Sequence, residues 1–308
     1  MHRTRLSSAL AAAGPRPPGA RGFTLVEMIT ALVVISIVSA AMAVFLRAPL
    51  QAYFDVTGRG LVGDTANLAL QRMNQDLGTA LPNSVRVTQA GASWFLEVLE
   101  VSGSGRYRNA GPSPVGCPAP SGALDFGAAD TCFMTLGTVS GAVVPNASFM
   151  VVDNQGPGCP NDAYFGGNAT VAGGNKSLIT GHAPFAGPPA YDRVQMQAVN
   201  LPAACQSPTR QFYVVSGPVS YECNPVTGQL IRHAGYPIVA AQPTVFAAGT
   251  AALLATGVTG CGFTYNASPL ATRYGTVSVT LVFSRNDPTS NGIEAATVFT
   301  QIHVSKTL

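Results

Sequence analysis

Glu27 is the residue of this chain whose position most clearly points to chemistry. It is the only charge in the apolar run of residues 23–46, and those 24 residues make a helix about long enough to cross a ~30 Å hydrocarbon core. An isolated charge at mid-membrane costs roughly 2.5–3.5 kcal/mol on insertion scales, so this carboxylate should have a partner. A sharp boundary, Arg21-Gly22 against Phe23, precedes the run. Cleavage there would remove a basic leader and keep the helix, whereas a secretory signal is cut after its apolar region.

The segment Gly22-Phe23-Thr24-Leu25-Val26-Glu27 resembles the class III signal of type IV prepilins and type II secretion pseudopilins. The resemblance implies that an inner-membrane prepilin peptidase cuts after Gly22 and that Phe23 becomes the N-methylated first residue. It also implies that Glu27 pairs with the N-terminal amine of the adjacent subunit during assembly. Two opposite charges in lipid attract strongly and offset each other's desolvation, which fits this role.

Later segments resemble a narrower group, the minor pilins of the mannose-sensitive haemagglutinin (MSHA) pilus of the MshO type, and the wider PilW and GspJ minor (pseudo)pilins. The similar segments are residues 51–55, 72–77 with 80–86, and 210–223. In that group the protein is a low-abundance subunit that helps to initiate or cap a filament. The resemblance therefore implies a structural role, with prepilin peptidase, other major and minor pilins and inner-membrane lipid as partners.

The distribution of charge predicts the orientation in the membrane. The leader, residues 1–22, holds four of the 17 Lys and Arg residues and no acidic residue, which leaves 13 basic against 14 acidic residues after its removal. The positive-inside rule places the leader in the cytoplasm and the chain after Arg47 outside. We therefore expect a single-pass inner-membrane protein with a periplasmic domain, transferred to a pilus at the cell surface on assembly. The net charge of +3 is too small to indicate a nucleic-acid partner.

The predicted fold is α+β and, from the resemblance, type IV pilin-like. The sequence predicts a long N-terminal helix over residues 23–81. This helix spans the membrane over residues 23–46 and kinks at Pro49. Its second half is amphipathic, and Asp76 falls on the polar side. The side chains predicted to pack on the globular domain are Leu61, Thr65, Leu68, Met73 and Leu77.

Residues 82–308 predict an antiparallel β-rich domain, because only 10% of residues are charged while Gly (33) and Pro (23) are abundant. The two longest strands, 276–284 and 296–304, alternate apolar and polar residues and predict a hairpin. A hairpin or tight corner at Gly217-Pro218 is expected to separate segments 212–216 and 219–221. Residues 102–122 are expected to form a long exposed loop.

Six cysteines lie in the domain predicted to be outside, where an even count indicates up to three disulfides. The Gly217-Pro218 corner favours Cys205 with Cys223, and Cys117 with Cys132 is the next most local pair. Cys159 with Cys261 follows by elimination. A metal site is the alternative, but no C-x-x-C pair occurs, so neither a metal nor a cofactor is predicted.

Enzymatic activity is not predicted. The four histidines are scattered, and none belongs to an HExxH or a nucleophile–base arrangement. Oxygen ligands for calcium could come from residues 153–156 with Asn161 and Asp162, but such Asx/Gly loops are usually turns.

Two other functions stay open beside the minor pilin. A GspJ-like minor pseudopilin at the tip of a type II secretion pseudopilus would use the same physical features. A tip adhesin would use the Gly- and Pro-rich loops around residues 102–131 and 154–175 for cell adhesion.

Overall fold

The computed structural model describes most of the chain: residues 22–109, 117, 122–156, 161–166, 174–185, 190–203, 206–267, 274–286 and 293–305. These residues form one long helix, α1, Leu25–Gly78, followed by β-strands. The chain divides into two compact units, the first ending at Phe54 and the second spanning Asp55–Leu308. The predicted α+β fold, a long N-terminal helix and an antiparallel β-rich domain, is confirmed.

Thirteen strands are described after the helix. In chain order they are β1 (Arg86–Ala90), β2 (Ser93–Arg106), β3 (Ala129–Met134), β4 (Ser140–Gly141), β5 (Phe149–Val152), β6 (Lys176–Phe185), β7 (Tyr191–Asn200), β8 (Gln211–Asn224), β9 (Gln229–Ala234), β10 (Thr250–Thr256), β11 (Val258–Asn266), β12 (Tyr274–Asn286) and β13 (Ile293–Ser305).

The strands form two antiparallel sheets. The larger has the order β1-β2-β8-β5-β6-β7-β3, and β9 also pairs with β8, β10 with β9 and β4 with β2. The smaller has the order β11-β12-β13. Its last two strands pair from Asn286↔Ile293 to Tyr274↔Ser305, so the predicted C-terminal hairpin is confirmed and extends beyond its predicted ends.

The part of α1 that belongs to the second unit packs on both sheets. Its buried side chains are Ala66, Ala69, Met73, Asp76 and Leu77. They join a core that includes Leu96 of β2, Tyr221 of β8 and Phe263 of β11. The small alanine side chains let the helix approach the sheets closely, and the core layer they share is continuous.

This packing corrects the predicted amphipathic stripe. Leu61 and Leu68 are 69% and 66% exposed, whereas Asp76, assigned to the polar side, is 2% exposed. Asp76 can be buried because its carboxylate is fully paired. Oδ2 accepts a hydrogen bond from the Tyr221 hydroxyl at 2.7 Å and one from Arg232 Nε at 2.5 Å, and Oδ1 lies 3.0 Å from Arg72 Nη2. This network joins α1 to β8 and β9.

We expect Asp76→Ala to destabilise the domain by about 3–5 kcal/mol, because the half-buried Arg232 loses its acceptor and the buried Tyr221 hydroxyl keeps only its longer bond to the Arg72 carbonyl. The measurement is urea unfolding of the detergent-solubilised chain, followed by the fluorescence of Trp94, the only tryptophan. Asp64→Ala is the matched control, since Asp64 is exposed on the same helix. Equal midpoints for the two variants would contradict this role of Asp76.

A second charged network joins the start of this helical part to the smaller sheet. Arg285 Nη2 of β12 lies 2.9 Å from Asp55 Oδ1 and 2.7 Å from Glu294 Oε2, and Arg59 Nε lies 2.7 Å from Glu294 Oε1. Gly58 makes room for the Arg285 guanidinium, because a Cβ at this position would collide with it. Gly58 therefore permits close packing, at the cost in helix propensity that a glycine brings.

The predicted Gly217-Pro218 corner is wrong, because β8 runs without a break from Gln211 to Asn224. The register against β2 shifts at this point, with Glu100 opposite Gly217 and Val101 opposite Val215. Ser216 is thus the extra residue of a β-bulge next to the dipeptide, and bulges are usual places for glycine and proline in a strand. The expected exposed loop at 102–122 is also wrong at its start, since β2 continues to Arg106; residues 110–116 and 118–121 lie outside the described residues.

The disulfides follow from this correction. Cys223 is bonded to Cys261, so the predicted Cys205–Cys223 and Cys159–Cys261 pairs are wrong. A straight β8 carries Cys223 away from the segment before the strand and brings it beside β11, which packs on β8. The predicted Cys117–Cys132 pair is present. Cys159 and Cys205 lie outside the described residues.

Removing Cys223–Cys261 by a double Cys→Ala change should cost about 4 kcal/mol, from the chain-entropy relation for its 38-residue separation. Removing Cys117–Cys132, with a separation of 15, should cost about 3 kcal/mol. The first bond also links the two sheets across a fully buried Cys223. Trp94 fluorescence during urea unfolding provides the comparison, and a larger loss from the Cys117–Cys132 variant would contradict the expectation.

Candidate functional site

The candidate site is the N-terminal end of α1. Gly22, Phe23 and Thr24 are not helical, and the helix begins at Leu25. Thr24 is the N-cap, because its hydroxyl oxygen accepts a hydrogen bond from the Glu27 backbone N–H at 3.2 Å. The Met28 N–H donates to the Thr24 carbonyl at 3.2 Å and closes the first turn. Glu27 therefore lies in the first turn of the helix, four residues after Phe23.

Thr24 is a site residue that the sequence interpretation missed. Thr24-Leu25-Val26-Glu27 has the Thr-x-x-Glu spacing of a capping box, a signal that was available in the sequence. Such a cap contributes about 1 kcal/mol to a helix. It fixes the residue at which the helix starts, and it thereby keeps the Gly22–Phe23 peptide outside the helix.

The Gly22–Phe23 peptide is accessible. Gly22 is exposed and has no heavy atom within 4 Å of the place where a Cβ would be, apart from its chain neighbours, and Phe23 is 79% exposed. A peptide bond in non-helical, exposed backbone can enter the cleft of a peptidase without local unfolding. Its hydrolysis would create an amine at Phe23, one helical turn from Glu27.

The electrostatics of this end favour the carboxylate. The unsatisfied N–H groups at the start of a helix carry a partial positive charge, so an acidic residue in the first turn is stabilised there. No ion pair to the Glu27 side chain occurs among the residues that the structure describes. The carboxylate is exposed and can accept a cation from another chain.

The surface around Glu27 is apolar and uncovered. Every residue from Phe23 to Leu46 is exposed. Of the described helices, α1 is long and apolar enough to cross a membrane, judged by its length and composition. An apolar surface of this extent is covered by lipid or by other apolar helices in a functional protein. The helix fits a membrane anchor.

The comparison with protein families adds one match. Residues 18–43 match the family described as the prokaryotic N-terminal methylation motif. The match supports a type IV pilin or pseudopilin. The methylation motif includes the Gly22–Phe23 peptide, Thr24 and Glu27, and it indicates a structural subunit, processed by prepilin peptidase and associated with other pilins. No curated protein and no solved structure matched the chain.

The other candidate residues have structural partners away from the methylation motif. His182 Nε2 lies 3.0 Å from Asp192 Oδ2, and His233 Nε2 lies 2.9 Å from Glu222 Oε2. Asp192 also accepts a hydrogen bond from the Val139 N–H at 2.8 Å. The His182 contact thus joins β6 to β7, and the His233 contact joins β9 to β8. Among the described residues, no group of three or more His, Cys, Asp and Glu side chains is arranged to hold a metal.

The loop considered for calcium uses its oxygens internally. Asp153 Oδ2 accepts hydrogen bonds from Gln155 Nε2 at 2.9 Å and from Asn161 Nδ2 at 3.1 Å. Asp162 Oδ1 accepts one from the Tyr164 N–H at 2.9 Å. The last of these bonds is that of an Asx turn, and the first two join side chains within the loop.

A buried charged pair supports the segment that follows β9. Glu97 is fully buried, and Arg86 Nη2 lies 2.8 Å from its Oε1. Burial raises the pKa of Glu97 to about 7, and the Arg86 charge opposes this shift. The same guanidinium donates to the carbonyls of Val239 and Ala240 at 3.1 and 2.7 Å. Arg86 thereby holds the 236–249 segment across β1 and β2.

Proposed function

We propose that this protein is a minor type IV pilin of the MSHA-like kind, which helps to initiate assembly of a filament or to cap it. The observation that supports the proposal most is the match of residues 18–43 to the methylation motif, at a helix start where Gly22 is exposed and Glu27 is uncovered. In this proposal residues 1–22 are the leader, and residues 23–46 hold the protein in the inner membrane before assembly. Residues 82–308 form the periplasmic and later extracellular domain.

The assembly step would use the new amino terminus. Prepilin peptidase removes the leader after Gly22, and Phe23 is methylated on its nitrogen. The Phe23 amine of one subunit pairs with the carboxylate of a neighbouring subunit, and each Glu27 in turn receives such an amine. The apolar helix moves from lipid to the centre of a helical bundle. Its apolar surface is covered in both places, and in the bundle the Glu27 charge is also paired.

The test is deletion of the gene in its native bacterium, with complementation by the full chain. If the protein is a minor pilin, the deletion strain should lose most of its surface filaments and secrete exoproteins normally. In the complemented strain the protein should appear in the sheared filament fraction. Normal filaments with lost secretion would support the GspJ-like pseudopilin. Normal filaments and normal secretion would overturn both assembly roles.

Adhesion at the filament tip is the alternative proposal, and it would use the Gly- and Pro-rich segments 102–131 and 154–175. Deleting residues 110–116, with Tyr107 and the Cys117–Cys132 disulfide retained, separates the functions. Loss of surface binding with normal piliation supports adhesion, and loss of piliation supports assembly.

A further inference from the structure

Lys176 is an unusual residue in this chain. The sequence contains 15 arginines and only two lysines, Lys176 and Lys306. Lys176 is the first residue of β6, its backbone pairs with Val151 of β5, and it is 4% exposed. A lysine is rarely so deeply buried unless its ammonium group is paired, because desolvation of a charge is costly.

The ammonium group of Lys176 has no close partner in the described part of the chain. No hydrogen bond or ion pair to it is present there, and Asp162 is the charged residue whose field acts on it. Burial lowers the pKa of Lys176 to about 8, and the Asp162 charge opposes this shift. Asp162 itself accepts a hydrogen bond from the Tyr164 N–H, which holds it in its own turn. The Lys176 side chain is therefore buried, and its charge has no ion pair among the described residues.

Lys176 lines a cavity of about 860 Å³ that opens to solvent. The cavity lies between the 235–240 segment after β9, residues 147–149 at the start of β5, and residues 164–166. Its walls are mainly apolar and aromatic, and they include Phe149, Tyr164, Phe165, Tyr236 and Ile238. Its size and lining are those of a ligand-binding cavity, in which one charged group among apolar walls fixes the orientation of the ligand.

The walls are held by interactions that do not involve Lys176. The Tyr164 hydroxyl donates to the Ser84 carbonyl at 2.9 Å, and its ring lies 3.6 Å below the Arg86 guanidinium. Arg86 fixes the 235–240 side through its bonds to Val239 and Ala240. These bonds fix two walls of the cavity independently of Lys176, and Lys176 is the one cation among the described lining residues.

We propose that this cavity binds an apolar peptide segment of a partner protein that brings a carboxylate to Lys176. The apolar side chains of the segment would pack against the aromatic walls, and the carboxylate would form the ion pair that the described part of the domain does not supply. A charge-assisted bond in a desolvated site discriminates strongly between a carboxylate and a neutral group of the same shape. The carboxylate can be the end of a chain or the side chain of Asp or Glu. The inference does not depend on the membrane helix or on its processing.

The test uses the full chain in phospholipid nanodiscs and three peptides, with binding measured by isothermal titration calorimetry. The peptides are acetyl-Phe-Leu with a free carboxylate, acetyl-Phe-Leu-amide, and acetyl-Phe-Glu-Leu-amide. We expect the dissociation constant of the free acid to be at least about tenfold lower than that of its amide. Tighter binding of the glutamate peptide than of the acid would identify a side chain as the natural source.

Lys176→Met is the decisive variant, because methionine has a similar length and no charge. We expect it to retain the fold and to bind the acid and the amide equally. Acylation by sulfosuccinimidyl acetate, read by mass spectrometry, gives a second measurement: the acid should protect Lys176 and leave Lys306 unprotected. Two results would overturn the proposal. The first is equal affinity of the acid and the amide for the unaltered chain. The second is that the acid and the glutamate peptide, at about 10 mM, neither bind nor protect Lys176.

Discussion

Replacing Gly22 by leucine should abolish removal of the leader and, with it, incorporation of the protein into filaments. The structure leaves Gly22 exposed with open space around it, so the substitution does not disturb the fold. A peptidase that reads a glycine at this position, as the methylation motif implies, has no room for a branched side chain. The uncut chain keeps its four leader arginines and has no amine at Phe23. It would stay in the membrane with the leader attached.

The measurement is the mass of the protein in membrane and sheared filament fractions, after complementation of the deletion strain. Gly60→Leu is the matched control, because Gly60 is an exposed glycine of α1 with open space at its Cβ position. We expect the control to be processed as efficiently as the unaltered chain. Efficient cleavage of the Gly22→Leu chain between residues 22 and 23 would contradict the assignment of this bond.

Replacing Glu27 by alanine should leave membrane insertion and leader removal largely intact but reduce incorporation into filaments by about tenfold or more. Two charges about 4 Å apart interact by ~4 kcal/mol at an effective dielectric constant of 20, and a tenfold effect requires only ~1.4 kcal/mol. Insertion should not suffer, because the change removes a charge from an apolar helix. The Thr24 cap should persist, since its hydroxyl accepts from the backbone N–H of residue 27, which alanine retains.

Quantitative blotting of the sheared filament fraction against the membrane fraction measures this effect. Thr30→Ala is the control for loss of a polar group in the same turn, because the Thr30 hydroxyl bonds only to the Glu27 carbonyl at 3.0 Å. Incorporation of the Glu27→Ala chain at the level of Thr30→Ala would remove the charge-pairing argument.

The sequence predicted best those features that short-range periodicity determines. The apolar run of residues 23–46 specified the exposed first part of α1, and alternation in residues 276–284 and 296–304 specified the C-terminal hairpin. These patterns reflect the environment on each face of an element, so they can be recognised without knowledge of its neighbours.

The errors arose where a distant residue decides the outcome. Asp76 is polar and was assigned to solvent, but Tyr221 and Arg232, about 150 residues away in sequence, pair with it and permit its burial. Leu61 and Leu68 have the spacing of a buried stripe, yet the sheets contact the face that carries Ala66 and Ala69. Helical spacing alone does not identify which face of a helix a domain will cover.

A local turn signal also led to a wrong prediction at one place within a strand, Gly217-Pro218 of β8. Gly217-Pro218 is typical of a turn, but both residues pair with β2, and β8 continues through a bulge beside them. The wrong corner then led to the wrong partner for Cys223, which lies beside β11 and bonds to Cys261. The opposite case is Thr24, whose capping role was encoded in four adjacent residues and could have been recognised from the sequence.

The measurement that tests the central claim most directly is the intact mass and N-terminal sequence of the protein from its native envelope. We expect a chain that starts at N-methylated Phe23, after loss of residues 1–22, with Cys117, Cys132, Cys223 and Cys261 present as disulfides. That result would establish processing by the pilin pathway and exposure to an oxidising compartment together. A chain that retains the leader with free thiols, or that starts elsewhere, would contradict the account and identify an ordinary membrane-anchored protein.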